Sequence, residues 1–360
     1  MTAATLPTEV ALDFSNWEHE RVLVSRGSRS GIPITVAVHS TKLGPALGGC
    51  RLWSYPTWRE GALDALRLSA AMTVKCAVAG LPTGGGKSVI ALSPGEELTP
   101  DRRRAALLDL GDAVEMLGGI YRTAEDIGTS TADIMVVRER TQHALGLPSS
   151  AGGAGEPAEP TANGVYAALE VVLNWVFGSR QPAGRTFTVV GLGQVGSRLT
   201  ARLVAAGGEV TVTDVDPRKS RLADDLGARW IPTTEQALHE PSDVLIPAGV
   251  GGLLEPAGVA DLTCKAIIGP ANNQLASPET AELIASRGIV WAPDFVVNAG
   301  GAISAILADS QGMDAVTVSA RVQGIGATTQ LLLDAAAREG ITPLAAALSL
   351  ARQRLSHDAG

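Results

Sequence analysis

Two lysines, Lys75 and Lys87, stand on either side of a stretch that ends in three consecutive glycines. Glycine has no side chain, so a ligand and the backbone can approach each other closely at residues 84–86. Lysine changes its charge state readily on burial, which suits base and amine chemistry. Apolar residues at 77–79 and 89–92 argue against a surface turn that carries two solvated ammonium groups. We therefore interpret this stretch as a catalytic turn.

The sequence Gly86-Lys87-Ser88 also invites comparison with a nucleotide-binding P-loop. That motif requires a glycine five positions before the last glycine, where this chain has Leu81, and Gly80 misses the position by one residue. A P-loop also connects a strand to a helix, whereas this stretch runs from a predicted helix into a predicted strand. We reject the P-loop.

A G-x-G-x-x-G pattern occupies residues 191–196, directly after a predicted strand and at the start of a predicted helix. In a dinucleotide site the first glycine permits a tight turn, the second lets the pyrophosphate approach, and the third packs helix on strand. The phosphates then lie at the N-terminal end of the helix. The pattern predicts a cofactor loop formed by Gly191, Leu192, Gly193, Gln194, Val195 and Gly196.

The next predicted strand ends in Asp214, at the position where dinucleotide-binding folds carry an acidic residue. A carboxylate there accepts hydrogen bonds from a ribose 2′-hydroxyl and repels a 2′-phosphate. The sequence therefore predicts NAD as the cofactor. Arg218 and Lys219 follow closely and leave NADP open as the alternative.

Composition narrows the class of protein. The 360 residues are 45% hydrophobic and 18% charged, which is typical of a folded globular chain, and the net charge of −8 gives no footprint for nucleic acid. Three widely spaced cysteines, Cys50, Cys76 and Cys264, indicate neither disulfides nor a metal site and favour a reducing, cytoplasmic setting. Residues 1–16 lack the blocks of a signal peptide, and no run of about 18 apolar residues predicts a membrane span.

The elements that must position the lysines come from periodicity. A predicted helix over residues 59–73 delivers Lys75 near its C-terminal end, and Lys87 opens a predicted strand that runs to residue 92. The other predicted elements of this half are strands at 20–27 and 32–40, a rigid loop at 43–51 and a helix at 100–117. A further helix is predicted to begin at the N-cap Ser130 and to end at residue 141.

After residue 185, short apolar strands alternate with helices, which indicates a parallel sheet with helices on both faces. These strands are predicted at 186–191, 209–214, 243–248, 265–269 and 288–292, and residues 316–356 are predicted to be helical. Residues 146–164, rich in glycine, proline, serine and alanine, separate the two halves. We predict an α/β fold of two domains with a cleft. Residues 1–150 form a substrate and oligomerisation domain, completed by helices at about 326–360, and residues 151–325 form a Rossmann-type, doubly wound NAD-binding domain.

Seven motifs, in order along nearly the whole chain, resemble those of the Glu/Leu/Phe/Val dehydrogenase family, and more narrowly its short leucine, valine and phenylalanine branch. They are LGPALGGCR at 43–51, MTVK at 72–75, GGGK at 84–87, TAEDIGT at 123–129, the glycine pattern at 191–196, GPANNQL at 269–275 and APDFVVNAGG at 292–301. The resemblance implies reversible oxidative deamination of an L-amino acid to its 2-oxo acid and ammonia. It also implies NAD as the hydride acceptor and an oligomer of identical chains.

The resemblance further implies roles for single residues. Lys75 would bind the substrate carboxylate, Lys87 would be the catalytic lysine, and Asp126 would be the acid/base partner. Asn272 would hold the polar end of the substrate near the backbone of Gly49. The remaining positions implied for the cofactor are Thr161, Ala248, Gly249, Ala271, Asn272 and Asn298.

The chemistry asks for such residues independently, because the amine must be neutral before a hydride leaves the α-carbon. A lysine at the reference pKa of about 10.4 is a poor base at neutral pH. Burial and a second ammonium, for which Lys75 is the candidate, both favour a neutral Lys87, whereas Asp126 favours the protonated form. A capping or salt-bridge role is the structural alternative for Asp126.

The predicted side-chain pocket is apolar, with Leu47, Ala124, Val296 and Val297 at the positions that resemble the pocket of the family. Burying a charged side chain there without a partner would be costly. We therefore predict leucine or valine as the substrate, with phenylalanine as the alternative. A glutamate dehydrogenase would need a cation where Leu47 stands, and a catalytically silent NAD-binding regulator would not need to retain both lysines and Asp126.

Six residues at four places near the cleft depart from the commonest family pattern and leave the preferred amino acid open. They are Pro82-Thr83 before the glycines, Arg122 before the Asp126 loop, Ala248-Gly249, and Pro270 before Asn272.

Overall fold

A computed structural model describes residues 18–148, 150 and 153–357 of the chain. Residues 1–16, which the signal-peptide prediction concerns, lie outside them. Two sheets follow each other along the chain, one of five strands and one of six. The predicted α/β fold with a Rossmann-type second half is confirmed.

The first sheet has the strand order β1-β2-β4-β3-β5. Strands β1, β2 and β4 are antiparallel, and β3 runs parallel to both β4 and β5. Its strands are β1 (Arg21–Arg26), β2 (Pro33–Ser40), β3 (Ala46–Ser54), β4 (Gly84–Leu92) and β5 (Tyr121–Glu125), and its helices are α1 (Trp58–Val78), α2 (Pro100–Glu115) and α3 (Thr131–Arg138).

Helices cover both faces of this sheet. Helix α1 packs on one face, where Val89 and Ala91 of β4 meet Ala65. Helices α2 and α3 cover the other face, where alternate residues such as Ile90 form a second apolar cluster. Because side chains alternate along a strand, Lys87 points to the α1 face, as Val89 and Ala91 do. Ser130 caps α3 as predicted.

The triple glycine is the first correction to the sequence prediction, because it is not a turn. Residues 84–86 begin β4 and are fully buried. A Cβ on Gly85 would lie 2.1 Å from the backbone nitrogen of Thr73 in α1, and one on Gly86 would lie 2.6 Å from the ring of Tyr121. Glycine is therefore needed here so that a helix and an aromatic ring can pack directly against opposite faces of the strand.

The loop predicted at 43–51 is the second correction, because most of it is strand β3. Ala46 pairs with Gly84 of β4 and with Tyr121 of β5, so β3 is a central strand. Its glycines lowered the expected strand propensity, and the pairing partners on both sides overrode it.

The second sheet is parallel throughout, with the order β11-β10-β9-β6-β7-β8. Its strands are β6 (Thr186–Val190), β7 (Glu209–Thr213), β8 (Arg229–Trp230), β9 (Val244–Pro247), β10 (Ala266–Ile267) and β11 (Val290–Trp291). Five of the six were predicted, and β8 was missed. The helices from the connection onward are α4 (Ala158–Phe177), α5 (Gln194–Ala205), α6 (Ser220–Asp225), α7 (Thr234–His239), α8 (Pro256–Val259), α9 (Glu279–Ser286), α10 (Asp294–Val297), α11 (Gly300–Ser304), α12 (Ala315–Glu339) and α13 (Pro343–His357).

The C-terminal helices return to the first sheet. Helix α12 packs on α4, and α13 packs on α1. Arg354 of α13 donates to the carbonyl oxygens of Ala77 and Val78, at 2.8 and 2.6 Å, where α1 ends. These bonds satisfy carbonyl groups that a helix end leaves without a partner. They also fix the end of the helix that carries Lys75. Within the described ranges, no helix is long and apolar enough to cross a bilayer.

Candidate active site

A cavity of about 540 Å³ lies between the two sheets. Its walls come from β3, β4, the end of β5 and α1 on one side, and from α5, α10, α11 and the 270–273 loop on the other. Lys75, Lys87 and Asp126 all line it, so the three residues predicted to do the chemistry share one enclosed space.

Lys87 is a buried cation that faces this cavity. Only 5% of the residue is exposed, and its Nζ lies 2.8 Å from Oδ2 of Asp126. The glycines before it make this position possible, because they let α1 lie directly on β4 and form a wall over the lysine. A buried ammonium requires a partner, and Asp126 supplies it.

Asp126 directly follows β5 and is shared between two cations. Its Oδ2 accepts from Lys87 and also from Nε of Arg51, at 3.0 Å. Burial raises the pKa of Asp126, but the charges and hydrogen bonds of Lys87 and Arg51 outweigh it, and the net shift is downward. Asp126 therefore stays ionised at neutral pH.

Gly49 makes room for this carboxylate. A Cβ at position 49 would lie 2.4 Å from the carbonyl oxygen of Glu125 and 2.8 Å from Cβ of Asp126. Any other residue would push the Asp126 loop away from β3. Gly49 lines the cavity, as predicted for a residue beside the substrate.

Lys75 lies in the last turn of α1, a helix that begins at a capping box formed by Thr57 and Glu60. Burial lowers the pKa of Lys75, and the charge of Asp294, on the opposite wall of the cavity, opposes this shift. A cation in the last turn of a helix is also favoured by the helix dipole. Lys75 has no carboxylate within salt-bridge distance among the described residues, which leaves its amine for an anionic ligand.

Asp294 was not among the predicted site residues. It begins α10, it is 8% exposed, and it accepts a hydrogen bond from the backbone nitrogen of Asn273. Burial raises its pKa, although the charge of Lys75 and the backbone donors act in the opposite direction. The signal for it was an acidic residue inside the apolar motif at 292–301.

The structure separates the predicted side-chain pocket residues into two groups. Leu47 and Ala124 line the cavity, whereas Val296 and Val297 are buried away from it. Val296 instead lines a smaller cavity of about 100 Å³ beside α12. Helix α10 is a single turn that presents Phe295 to the main cavity, so the two valines point into the core behind it.

Arg122 occupies the strand face on which Leu47 and Ala124 lie. It pairs in register with Leu47 across β3 and β5, and it precedes Ala124 by two residues. Its Nη1 donates to Oγ of Ser310, in the π-helical turn that follows α11. Arg122 therefore joins the edge strand of the first sheet to the segment that forms the opposite wall.

The loop at 191–196 has the geometry of a dinucleotide cradle. Gly191 has φ +114°, and a Cβ there would lie 2.6 Å from the backbone nitrogen of Gly249. Gly193 begins α5 without a side-chain cap, and a Cβ there would meet nothing within 4 Å. Open space in front of unpaired helix N–H groups fits a pyrophosphate. Of this loop, Val195 reaches the main cavity.

Asp214 follows β7, beside this loop. Its Oδ2 accepts from the backbone nitrogen of Leu192 at 2.7 Å and from Nζ of Lys219 at 2.9 Å. Burial raises the pKa of Asp214. Hydrogen bonds from the backbone of Asp216, from Lys219 and from the backbone of Leu192 outweigh burial, so the net shift of the pKa is downward. Arg218 forms its own ion pair with Asp216 at 2.8 Å. Lys219 and Arg218, the two cations that could have favoured NADP, are thus both paired with carboxylates.

The positions predicted near the nicotinamide lie at two depths. Thr161, Asn272 and Asn298 line the cavity. Nδ2 of Asn298 donates to Oδ1 of Asn272 at 2.8 Å, and Oδ1 of Asn298 is buried with no partner in the described part of the chain. A buried acceptor without a partner fits a ligand that carries an amide N–H, as nicotinamide does.

The other predicted cofactor positions lie behind this layer. Ala248 and Gly249 pack against the turn at Gly191, and Ala271 is buried and donates its backbone N–H to the carbonyl oxygen of Pro247. These three residues shape the cradle from the second sheet without lining the main cavity.

Comparisons with known proteins agree with this geometry. Residues 21–143 match the profile of the Glu/Leu/Phe/Val dehydrogenase dimerisation domain, and residues 218–357 match that of Glutamate/Leucine/Phenylalanine/Valine dehydrogenase. The chain is 34% identical to the leucine dehydrogenase of Bacillus subtilis, covering 94% of this chain and 92% of that one. It is 38% identical to the valine dehydrogenase of Streptomyces virginiae, with 94% of each covered.

A solved structure also matches over the whole length. The crystal structure of L-tryptophan dehydrogenase from Nostoc punctiforme superimposes with a TM-score of 0.79 at 31% identity, covering 95% of this chain and 96% of that one. The proteins to which this chain is similar are thus named as dehydrogenases of aliphatic and of aromatic amino acids.

Proposed function

The chain belongs to the Glu/Leu/Phe/Val dehydrogenase family, and we propose that it catalyses the reversible, NAD-dependent oxidative deamination of leucine or valine. Membership makes it an amino acid dehydrogenase, an oxidoreductase that uses NAD(P). The observation that carries the proposal is the Lys87–Asp126 pair, at 2.8 Å, in a cavity that also contains Lys75 and an apolar wall.

Lys75 binds the substrate carboxylate in this proposal. It is a partly buried cation that lines the cavity, and a carboxylate placed against it would gain a charge-assisted hydrogen bond. That contact directs the α-amino group toward Lys87 and Asp126, which lie on the same wall. Lys75 therefore fixes the orientation of the amino acid.

Lys87 and Asp126 move protons. Neutral Lys87 takes a proton from the substrate ammonium, and the resulting lysine ammonium is stabilised by Oδ2 of Asp126. After the hydride has left, the same pair directs a water molecule onto the substrate carbon and protonates the departing amine. Burial of the pair excludes bulk water, which strengthens these charge interactions.

The bound cofactor supplies the hydride acceptor. Gly191 and Gly193 would hold its pyrophosphate, Asp214 its adenosine ribose, and the unpaired Oδ1 of Asn298 its carboxamide. We propose NAD rather than NADP because Asp214 is ionised at the ribose position and Lys219 and Arg218 are engaged by acids. A 2′-phosphate would therefore meet a carboxylate and no free cation among these residues.

The apolar wall supports an aliphatic substrate. Leu47 and Ala124 lie on the same face of the neighbouring strands β3 and β5, and both line the cavity. Arg122 shares that face, but it is absent from the lining and donates to Ser310. A glutamate side chain would lose its hydration without a partner there. Phenylalanine remains the alternative of the same reaction class, because a pocket difference of a methyl or two changes specificity by only about 1–3 kcal/mol.

The test is reduction of NAD by a panel of L-amino acids at alkaline pH, repeated with NADP. Leucine or valine should give the highest kcat/KM, phenylalanine a lower value, and glutamate almost none. Turnover of phenylalanine tenfold above leucine would contradict the substrate assignment and leave the reaction class intact. No turnover across the whole panel would instead favour the regulatory alternative.

We also propose that the chain assembles with copies of itself in a reducing compartment. The matched N-terminal profile is named a dimerisation domain, which supports self-association through the first half. Cys50, Cys76 and Cys264 are buried thiols without disulfide partners, which suits a cytoplasmic setting. Light scattering on the purified protein tests the first point, and a monomer would contradict it.

A further inference from the structure

Two cations share one oxygen of the predicted catalytic carboxylate. Nζ of Lys87 lies 2.8 Å, and Nε of Arg51 3.0 Å, from Oδ2 of Asp126. Oδ1 forms no hydrogen bond with any described residue, and Asp126 lines the cavity. The carboxylate is therefore anchored through one oxygen, and the other oxygen is left for a ligand.

Arg51 is itself held from its far side. Its Nη1 donates to Oδ2 of Asp64 at 2.9 Å, and Asp64 also accepts from Tyr55 at 2.8 Å and from Arg67 at 2.7 Å. Arg51 lies on β3 and Asp64 on α1, so the guanidinium bridges the sheet and the helix that carry the cavity wall. Fixed at both ends, it keeps its Nε at Asp126.

We propose that Arg51 is a positioning residue that sets the pH range of the reaction by competing with Lys87 for Oδ2 of Asp126. This inference rests on the proposed function. Were Asp126 bound by Lys87 alone, the full carboxylate charge would stabilise the lysine ammonium and oppose its deprotonation. Because Arg51 takes a share of that charge, less of it holds the proton on Lys87, which can then accept the proton of the substrate ammonium.

Arg51 has a second effect, on geometry. With both cations on Oδ2, that oxygen is held from two sides and Oδ1 keeps no hydrogen-bond partner among the described residues. Oδ1 can then hold the water or the amine that exchanges protons with the substrate. A lysine in place of Arg51 could reach Asp126 or Asp64 but has no planar fork to engage both.

Other ionisable groups near this pair must be separated from the effect. Lys75, Asp294 and Glu125 line the cavity, and Asp64 and Arg67 lie behind Arg51. Cys50 and Tyr121 of the sheet and Asp133 of α3 also act on this region. Burial raises the pKa of Cys50 to about 12 and also raises that of Tyr121, so both stay neutral in the assay range. At saturating substrate the bound carboxylate keeps Lys75 charged, so kcat reports Lys87 and Asp126.

The experiment is the pH profile of kcat at saturating amino acid and NAD, for the unaltered protein and for Arg51→Met, Arg51→Lys and Arg67→Met. A neighbouring charge moves a titration by about 1–3 pH units. The pH of half-maximal kcat should therefore rise by about one unit or more in Arg51→Met, and by less in Arg51→Lys. Arg67→Met is the matched control, because Arg67 touches Asp64 and not Asp126. Its profile should stay in place.

A purely structural role for Arg51 predicts a different result. Arg51→Met would then lower kcat or the melting temperature and leave the pH of half-maximal kcat unchanged, which would overturn the proposal. If Arg51→Met does not fold, Arg51→Lys decides in the same way. An unaltered protein without activity on any amino acid would count against the proposed function, whereas an active one with unshifted Arg51 variants would count against this inference alone.

Discussion

Replacing Lys87 by alanine tests the centre of the proposed mechanism. The change removes the Nζ that lies 2.8 Å from Asp126 and leaves the backbone of β4 in place. Loss of a general acid–base group lowers kcat by about 10²–10⁴-fold. At about 1.36 kcal/mol for each factor of ten, this is about 2.7–5.4 kcal/mol of the activation barrier.

The structure also sets how much stability the variant should lose. Breaking a buried ion pair costs about 3–5 kcal/mol when it leaves an uncompensated charge. Asp126 keeps Arg51 at 3.0 Å, so its charge stays compensated, and the free energy of unfolding should fall by less than about 3 kcal/mol. The variant should therefore be folded and still bind NAD, because Lys87 lies outside the loop at 191–196.

The assay combines steady-state kinetics with two controls. Thermal unfolding verifies the fold, and NADH fluorescence titration verifies cofactor binding. Small primary amines added to the solvent should restore part of kcat, because they can enter the space left by the side chain and accept a proton. Turnover within tenfold of the unaltered protein would refute the role of Lys87, and loss of NADH binding would show that the change acts elsewhere.

Four further predictions follow from single contacts. Lys75→Ala should raise KM for the amino acid far more than it lowers kcat, and an unchanged KM would place the carboxylate partner elsewhere. Asp214→Ala frees Lys219 and should narrow the preference for NAD over NADP; equal use of both by the unaltered protein would contradict the ribose role. Ala124→Gly removes a methyl group from the apolar wall and so enlarges the pocket, which should shift relative kcat/KM from leucine toward phenylalanine. Burial raises the pKa of Asp133, but hydrogen bonds from Arg103 and Ser130 bring that pKa below the usual value. The ionised carboxylate therefore stabilises the fold above pH of about 3.9, and this stabilisation is lost as the pH falls through the folded pKa. The free energy of unfolding of Asp133→Asn should thus be lower than that of the unaltered protein at neutral pH, and the two values should converge in acid.

The fold was predictable where periodicity and spacing act locally. The parallel sheet of the second half follows from short apolar strands separated by helices, and the structure confirms it. The glycine-rich segments at 43–51 and 84–86 were misassigned because glycine weakens a strand in isolation. Residues 46–51 are strand because β4 and β5 pair with them on both sides. Residues 84–86 are glycines because α1 and Tyr121 approach β4 so closely that no side chain fits.

That misassignment also hid Arg51. In a loop its direction is undefined, but in β3 it alternates with Cys50 and shares the cavity face with Gly49 and Leu47. Period-two alternation would have placed it on the cavity face. Val296 and Val297 lie outside the lining of this cavity, because a one-turn helix presents only part of its circumference to it and no periodicity can be read from four residues.

The two lysines of the cavity differ in which part of the fold supplies the acidic residue near each of them. Lys87 and Asp126 both belong to the first sheet, on β4 and directly after β5, so their contact does not depend on the cleft. Lys75 belongs to α1, whereas Asp294 belongs to α10 after the second sheet, so this charge pair spans the cleft. Opening the cleft would move Asp294 away from Lys75 and leave the Lys87 pair intact. In the proposed mechanism, proton transfer therefore needs residues of the first sheet alone, whereas the charge near the proposed carboxylate site also depends on a residue from the second half of the chain.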